Sequence, residues 1–182
     1  MRIIGGIHRS RNIVYPLDES KVRPTKDRVR EAVFSILQYQ VVDKEVLDIF
    51  AGSGAYGLES ISRGAKNVTF IDSYYDSIRC INENIKTLKI NNATIIDNDF
   101  LPALEKLNRN NKTFNMVFMD PPYKLDVYEH IVDFMINNNM VKENVVFILE
   151  SDHELSLDKY SSQFKIKEYE YGKTFITILN KL

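Results

Sequence analysis

The sequence of 182 residues is poor in the residue types that build crosslinked or metal-bound domains. It contains one cysteine, three histidines and no tryptophan. A lone cysteine, Cys80, cannot form a disulfide within the chain, and His8, His130 and His153 are too far apart in sequence to form a local metal motif. The sequence therefore disfavours both a disulfide-stabilised domain and a zinc-binding module, and we expect no metal site.

Long apolar stretches are also missing. No apolar run approaches the roughly 20 residues that cross a bilayer, and the N-terminal MRIIGGIHRSR lacks the longer apolar stretch of a secretory signal. With 44% hydrophobic and 27% charged residues, the composition is typical of one globular domain with a sizeable core. We expect a single cytoplasmic domain over residues 1–182 without membrane contact, with an N-terminal extension at 1–40 and a core at 41–182.

Charge is distributed unevenly along the chain. Residues 1–30 contain eight Lys or Arg against three Asp or Glu, a net of +5, whereas the remainder contains sixteen basic and twenty-two acidic residues, a net of −6. Such asymmetry indicates an anionic partner for the basic end, and nucleic acid is the obvious candidate, although a solvated face on an ordinary enzyme is the alternative. The density of arginines beside Thr25 favours phosphate contacts over pairing with local acids such as Glu31. The residues that we expect to contact nucleic acid are Arg9, Arg11, Arg23, Thr25, Arg28 and Arg30.

From residue 46 onward, short apolar runs alternate with amphipathic segments. The runs are VLDIF, VTFID, ATIID, FNMVFMD and NVVFILE, and the helices predicted between them cover residues 57–64, 75–89, 100–109 and 126–139. Runs rich in Val, Ile and Phe that do not alternate with polar residues are typical of strands covered on both faces. The pattern therefore predicts an α/β fold with a mostly parallel sheet and helices on both sides.

The two ends of the chain follow a different pattern. FKIKEYEY and TFITILN flank Gly172, which predicts a C-terminal antiparallel hairpin and brings the expected sheet to seven strands. The tripeptide Gly172-Lys173-Thr174 is accordingly a hairpin turn, because Lys167 stands where a phosphate-binding loop needs glycine. At the N-terminus, RIIGGIHRSRNIVY predicts a short hairpin and DRVREAVFSILQ a helix.

A glycine-rich segment follows the first predicted strand. VLDIFAGSGAYGLE contains G-x-G-x-x-G at Gly52, Gly54 and Gly57, directly before a predicted helix. Glycines permit a tight strand-to-helix turn and the close approach of a ligand, while the helix N-terminus presents N–H groups. Asp72 ends the second strand, twenty residues after Gly52, where a carboxylate can accept two hydrogen bonds from a ribose. This layout indicates a nucleotide-type cofactor, either a dinucleotide or S-adenosylmethionine, without selecting the reaction.

The tetrapeptide Asp120-Pro121-Pro122-Tyr123 follows the fourth strand and selects the chemistry. An exocyclic amine on a base is a poor nucleophile, because its lone pair is delocalised into the ring. Acceptors for its two protons help to localise that pair, and Asp120 with the carbonyl of Pro121 can supply both. Pro122 fixes its own φ and restricts Pro121 to an extended conformation, while Tyr123 can stack on the base. The tetrapeptide therefore predicts methylation of a base amine.

The glycine loop, second-strand acid and DPPY tetrapeptide, in this order, resemble the class I S-adenosylmethionine-dependent amino-methyltransferases. More narrowly, RIIGGIHRSRNI, RPTKDRVREAVFSIL, DIFAGSGAYGLESISRGA and DPPY resemble the bacterial 16S ribosomal RNA guanine-N2 methyltransferases that modify the head of the small subunit. The resemblance extends over nearly the whole chain. It implies the Rossmann-like class I fold, S-adenosyl-L-methionine as cofactor, and 16S ribosomal RNA as partner, free or within an assembled particle, with no obligate protein partner.

The resemblance also implies roles for individual residues. The methionine portion of the cofactor would be lined by Asp48, Gly52 and Gly54. Asp72 would hold the ribose, and Asp99 with Phe100 would frame the adenine, although Asp97 competes for that role. The catalytic residues would be Asp120, Pro121, Pro122 and Tyr123. Tyr56 stands where the family often has a smaller aliphatic residue.

Three other functions remain as alternatives. An adenine-N6 methyltransferase acting on DNA or RNA would use the same tetrapeptide, but the DNA enzymes usually carry a target-recognition domain for which the chain has no room. A non-catalytic RNA-binding factor for ribosome assembly is disfavoured by the intact cofactor loop. A nicotinamide oxidoreductase would leave Asp120 to Tyr123 unexplained. Methylation through a cysteine adduct is disfavoured because Cys80 lies within a predicted helix without an activating partner, and we expect it to be a packed thiol.

Overall fold

Seven extended segments form one sheet, with strand order β3-β2-β1-β4-β5-β7-β6, in a computed structural model that describes residues 1–16, 27–122 and 124–182. The strands are β1 Glu45–Ile49, β2 Asn67–Asp72, β3 Ala93–Asp97, β4 Phe114–Met119, β5 Val141–Ser151, β6 Phe164–Tyr171 and β7 Thr174–Lys181. Strands β1 to β5 pair in parallel, and β7 pairs antiparallel with both β5 and β6. The predicted sheet, with its antiparallel C-terminal hairpin, is confirmed.

Five α-helices in the described residues connect or flank these strands, besides two short 3-10 helices at Gln38–Val41 and Asp158–Tyr160. The α-helices are α1 Asp27–Leu37, α2 Ala55–Ser62, α3 Tyr75–Leu88, α4 Phe100–Arg109 and α5 Tyr128–Asn137. Helix α2 begins two residues before its predicted start, because Gly54 adopts a left-handed conformation (φ 78°) that turns the chain directly into the helix. Helix α5 begins two residues later than predicted, after a turn in which the amide of Leu125 donates to the carbonyl of Pro122 (2.7 Å).

The sheet is buried on both faces, which explains why its strands do not alternate between apolar and polar residues. On one face, a core that includes Phe34 of α1, Leu58 of α2 and Ile81 of α3 packs against Phe70 and Phe118 of the sheet. On the other face, a second core joins α4 and α5 to the sheet and includes Leu47, Leu104, Ile131, Phe147 and Leu179. Cys80 is a buried free thiol on α3, as expected.

The N-terminal residues form a short hairpin that packs onto α2. Arg2 and Asn12 form an antiparallel bridge, which confirms the predicted hairpin. The buried carboxylate of Glu59 on α2 accepts hydrogen bonds from the amides of Ile4 and Gly5, both at 2.8 Å. Because an unpaired charge would be costly at this depth, the hairpin amides and the carboxylate stabilise one another.

Arg30 completes this arrangement and corrects a prediction. Its side chain is 0% exposed, lies 3.1 Å from a carboxylate oxygen of Asp27 and 3.6 Å from one of Glu59, and donates to the carbonyl of Arg2. A guanidinium enclosed in this way cannot reach a phosphate at the surface, so the predicted nucleic-acid contact of Arg30 is wrong. It pairs with acids instead, although not with Glu31.

We predict that Glu59→Gln lowers the free energy of unfolding by about 3–5 kcal/mol, because it removes the buried carboxylate that pairs with Arg30 and leaves only the half-exposed Asp27 beside that charge. The substitution also weakens the ion pair with Arg63 (2.7 Å). Urea denaturation measures the change. The matched control is Glu105→Gln, which removes an exposed ion pair with Arg109 at 4.0 Å and should change stability by less than about 0.5 kcal/mol. Equal effects of the two substitutions would contradict the prediction.

Candidate functional site

The parallel strands bring three segments of the chain to one edge of the sheet. Ile49 of β1 lies in register with Ile71 of β2 and with Met119 of β4. The glycine loop, Asp72 and Asp120 therefore follow or end neighbouring strands at the same carboxyl edge, where open α/β sheets bind their ligands.

The glycine loop requires glycine for two different reasons. Gly52 and Gly54 have positive φ angles of 56° and 78°, which side chains disfavour and which bend the chain from β1 into α2. Gly57 serves packing, because a Cβ atom there would lie 2.2 Å from the ring of Phe70 on β2. The predicted turn therefore forms where the sequence places it, and its third glycine brings α2 close to the sheet.

Asp48 lies beneath this loop and is 3% exposed. Its carboxylate accepts a hydrogen bond from the amide of Gly57 (2.9 Å). Burial, aided by the negative charge of Asp72 and only partly offset by the Gly57 amide, raises the pKa of Asp48 to about 8. In the ligand-free protein this group is therefore largely protonated at neutral pH, and a cation bound beside it would favour the ionised form.

Asp72 is fixed at the end of β2 by two main-chain amides. One carboxylate oxygen accepts from Gly52 and the other from Tyr74, both at 2.8 Å. Partial burial raises the pKa of Asp72 despite these hydrogen bonds. Since each carboxylate oxygen has two lone pairs, the same group can also accept hydrogen bonds from a ribose.

An aromatic pair lies beside these acids. The rings of Phe50, which follows β1, and Phe100, which begins α4, have centroids 5.4 Å apart, and both side chains are partly exposed. Asp99 immediately precedes α4, and Asp97 at the end of β3 lies in register with Asp72. Asp99 and Asp97, the two acids considered for the adenine, therefore both lie at the carboxyl edge of the sheet. Sequence reasoning missed Phe50, although an aromatic residue directly after the first strand could have indicated it.

The residues of the tetrapeptide follow β4. Asp120 is partly exposed, Pro121 is buried and Pro122 is exposed. Tyr123 lies outside the described residues, so its stacking role stays a prediction. Asp120 and Pro121 therefore follow β4 at the same sheet edge at which the glycine loop follows the neighbouring β1.

A buried tyrosine–glutamate pair at this edge was not predicted. The hydroxyl of Tyr56, which is 5% exposed, donates to a carboxylate oxygen of Glu150 at 2.8 Å. Its ring stacks on Phe118, with centroids 4.8 Å apart and an interplanar angle of 14°. Burial, followed by the negative charges of Glu150 and Asp120, raises the pKa of Tyr56. The sequence signal was the acidic residue that ends the apolar run NVVFILE.

The basic residues separate into three groups. Arg9 and Arg11 are exposed on the N-terminal hairpin, and Arg28 is exposed on α1. Arg23 and Thr25 lie outside the described residues, and Arg30 is buried, as described above. The three exposed arginines thus remain candidates for phosphate contact.

The hairpin that carries Arg9 and Arg11 is connected to the cofactor loop. Asn84 of α3 accepts from the amide of Val14 (2.8 Å) and donates to its carbonyl (2.9 Å). The same side chain donates to the carbonyl of Ser53 in the glycine loop at 3.2 Å. The basic segment and the loop therefore share one anchoring residue.

Other classes of site were also sought in the described residues. Within 1–16, 27–122 and 124–182, no group of three or more His, Cys, Asp or Glu side chains could hold a metal ion. No helix of these residues is long and apolar enough to cross a membrane.

The sequence of this chain is similar to those of a known protein family. A sequence model of the family described as Conserved hypothetical protein 95 matches residues 1–180. The chain is 36% identical over 157 residues to ribosomal RNA small subunit methyltransferase D of Escherichia coli (strain K12), covering 86% of this chain and 77% of the relative. It is 34% identical over 174 residues to the protein of the same name from Haemophilus influenzae, covering 94% and 89%.

Comparison with solved structures supports the same relationship. The Escherichia coli protein yhhF superimposes with a TM-score of 0.86 at 32% identity, covering 100% of this chain and 97% of that one. The resemblance inferred from the glycine loop, Asp72 and the tetrapeptide is thus confirmed at the level of the family. The chain belongs to the Conserved hypothetical protein 95 family, together with the proteins named ribosomal RNA small subunit methyltransferase D.

Proposed function

We propose that this chain transfers a methyl group from S-adenosyl-L-methionine to the exocyclic N2 amine of a guanine in 16S ribosomal RNA. Membership of the family supports methylation of ribosomal RNA. The observation that carries the chemistry is the position of Asp120 and Pro121 directly after β4, at the same sheet edge as the glycine loop. Such a protein acts where ribosomal subunits are made, so we place its activity in the cytoplasm.

The residues at the edge fit the proposed cofactor. The loop at Gly52 and Gly54 brings main chain close to a ligand, and Asp48 lies beneath it as a partner for the positively charged methionine portion. Asp72 can accept the ribose hydroxyls, and Phe100 offers an apolar surface to the adenine beside Asp97 or Asp99. When bound, the cofactor supplies an electrophilic methyl group on a sulfonium, whose positive charge is lost on transfer.

The protein's own contribution is orientation and charge. Asp120 and the carbonyl of Pro121 accept the two protons of the amine, which directs its lone pair towards the methyl group. Holding the two reactants in this geometry removes much of the entropic barrier to their meeting. Tyr123, by stacking on the base, would fix the ring plane. No strong base is needed before the transfer, because the amine attacks as the neutral group.

Mass analysis of nucleosides from 16S ribosomal RNA tests this function in cells with and without the protein. Loss of N2-methylguanosine at one position, restored by the wild-type chain, would support the proposal. Loss of N6-methyladenosine instead would favour the adenine alternative, for which the same acceptor pair suffices. An unchanged modification pattern would contradict the proposal and leave the two alternatives that methylate no ribosomal RNA, the RNA-binding assembly factor and the oxidoreductase.

Asp120→Ala should lower kcat by about 10²–10³-fold, because its carboxylate acts on the amine as the reaction proceeds. The affinity for S-adenosylhomocysteine should stay within about twofold, since Asp120 serves the other reactant. Transfer of a tritiated methyl group and calorimetry measure the two quantities. Asp126→Ala, in the exposed segment that follows, is the control and should retain both. Near wild-type turnover by the Asp120 variant would remove the central claim.

The affinity for S-adenosylhomocysteine should fall as pH is lowered from about 8. Below the raised pKa of Asp48, about 8, the ligand's ammonium group must displace a proton before it can pair with the carboxylate. The loss should approach, at most, about tenfold per pH unit. Asp48→Asn cannot titrate, so its affinity should be nearly flat between about pH 6 and 8. Calorimetry across this range decides the point, and an equal slope in both proteins would assign the dependence to another group.

Replacing Arg9, Arg11 and Arg28 with alanine should weaken RNA binding and flatten its dependence on salt. Each lost phosphate contact removes about 0.7–0.9 from the slope of log affinity against log salt. The matched control replaces Lys165, Lys167 and Lys173 with alanine. These lysines are exposed on the C-terminal hairpin, so the control variant loses the same amount of positive charge. If the two triple variants lose affinity equally, only net charge matters and the basic hairpin is an ordinary solvated face.

A further inference from the structure

Ser53, at the centre of the glycine loop, is linked to both ends of the N-terminal hairpin. Its hydroxyl donates to the Sδ atom of Met1, at the start of the hairpin, at 3.6 Å. Its carbonyl accepts from the side-chain amide of Asn84, which also bonds Val14, directly after the hairpin. The two ends are joined to each other as well, because the amide of Ile13 donates to the carbonyl of Met1 at 3.1 Å. The open end of the hairpin is therefore built onto the cofactor loop.

Asn84 of α3 makes this link with every donor of its side chain. It is 2% exposed. Its Oδ1 atom accepts from the amide of Val14 at 2.8 Å, and its Nδ2 atom donates to the carbonyls of Val14 at 2.9 Å and Ser53 at 3.2 Å. These partners also fix which way the amide group points, since Oδ1 must face an N–H group and Nδ2 must face carbonyls. The group cannot turn towards one segment without releasing the other.

The type of residue at position 84 matches this task. A carboxamide can accept from one main-chain amide and donate to two carbonyls at the same time, whereas a carboxylate can only accept and a hydroxyl has a single proton to donate. Burying an amide group costs free energy unless its hydrogen bonds are made. Asn84 therefore has the chemistry that joins Val14 to Ser53, which an apolar side chain of the same size would not have.

The path from the exposed arginines of the hairpin to Asn84 is short and held by main-chain hydrogen bonds. The amide of Ile3 donates to the carbonyl of Arg11 at 2.9 Å, and the amide of Ser10 donates to the carbonyl of Ile3 at 2.8 Å. Arg11 lies three residues before Val14. Moving the arginine relative to the glycine loop would thus require several of these hydrogen bonds to break.

We propose, on the basis of the proposed function, that Asn84 is a positioning residue that holds the RNA-binding hairpin and the cofactor loop at one separation. In that function Arg9 and Arg11 bind RNA phosphates, and the glycines on either side of Ser53 line the methyl donor. Hydrogen bonds through Asn84 then set the distance between the target amine and the methyl group. Because an error of about 1 Å between reacting groups can lower a rate about 10²-fold, the link acts on turnover more than on the binding of either reactant.

Hydrogen exchange tests the link without RNA and without turnover. A ligand at the loop should restrict Ser53 and, through Asn84, the amide of Val14, so S-adenosylhomocysteine should slow exchange of that amide about threefold or more. In Asn84→Asp the carboxylate still accepts from Val14 but cannot donate to Ser53, so the slowing should disappear. The control is the amide of Glu45, which donates to the buried side chain of Asn115 at 3.1 Å at the opposite sheet edge. Its exchange reports any general stabilisation by the ligand.

Turnover tests the positioning itself. Asn84→Ala should lower kcat by about 10–10²-fold, whereas the KM for RNA and the affinity for S-adenosylhomocysteine should stay within about threefold, because each reactant keeps its own contacts. A larger share of the methyl groups should also reach bases next to the target, which mass mapping of the RNA detects. Asn115→Ala is the matched control. It removes a buried amide group that bonds Glu45 and Asn144, and it should lower stability without either effect.

The outcomes separate this inference from the proposed function. An Asn84→Ala protein that loses stability but keeps the kcat and the methylation site of an active wild type would overturn the inference alone. So would a wild type in which S-adenosylhomocysteine slows the Val14 amide no more than the Glu45 amide, or an Asn84→Asp protein that retains the slowing. If Asn84→Asp does not fold, the wild-type exchange and the alanine variant decide. A wild type that methylates no RNA would overturn the proposed function and the positioning role with it.

Discussion

The buried carboxylate of Glu59 is the interaction on which the arrangement of the N-terminal half depends. It accepts hydrogen bonds from the amides of Ile4 and Gly5 in the hairpin, both at 2.8 Å, and it lies near the guanidinium groups of Arg30 and Arg63. An ionised group at 0% exposure is tolerable only because all these partners converge on it. Since Glu59 belongs to the helix that follows the glycine loop, one charge network fixes both the basic hairpin and the helix that forms one side of the site.

Acidic residues accumulate at the carboxyl edge for a physical reason. Asp48, Asp72, Asp120 and Glu150 come from neighbouring strands, and parallel pairing brings their ends together. Burial raises the pKa of both Asp48 and Asp72, and the negative charge of Asp72 adds to the rise at Asp48. This edge is therefore suited to a positively charged ligand and to a reaction that releases a proton. It is poorly suited to attracting a polyanion.

The mostly parallel sheet and the cofactor loop could be predicted because both depend on local patterns. Apolar runs without alternation indicate buried parallel strands, and the glycine spacing with Asp72 marks one particular turn. Arg30 could not be judged in the same way. Its charge suggested a surface contact, but only the tertiary structure shows that α2 supplies Glu59 as its partner. The pairing of Tyr56 with Glu150 joins residues 94 positions apart, a distance at which sequence periodicity carries no information.

The opposite charges of the two parts of the chain then have a common explanation. A site that stabilises a cationic cofactor must be acidic, whereas a polynucleotide must be attracted from outside it. Separating the two requirements on one small domain needs a basic element that is close to the acidic edge but does not neutralise it. The hairpin meets this condition, because Arg9 and Arg11 are exposed while the amides of Ile4 and Gly5 are held by Glu59 of α2. Asn84, which hydrogen-bonds the main chain of Val14 and the carbonyl of Ser53, keeps the segment after the hairpin in a fixed position relative to the cofactor loop. If the exposed arginines bind phosphates as we propose, this fixed separation would let those contacts determine which base amine reaches Asp120.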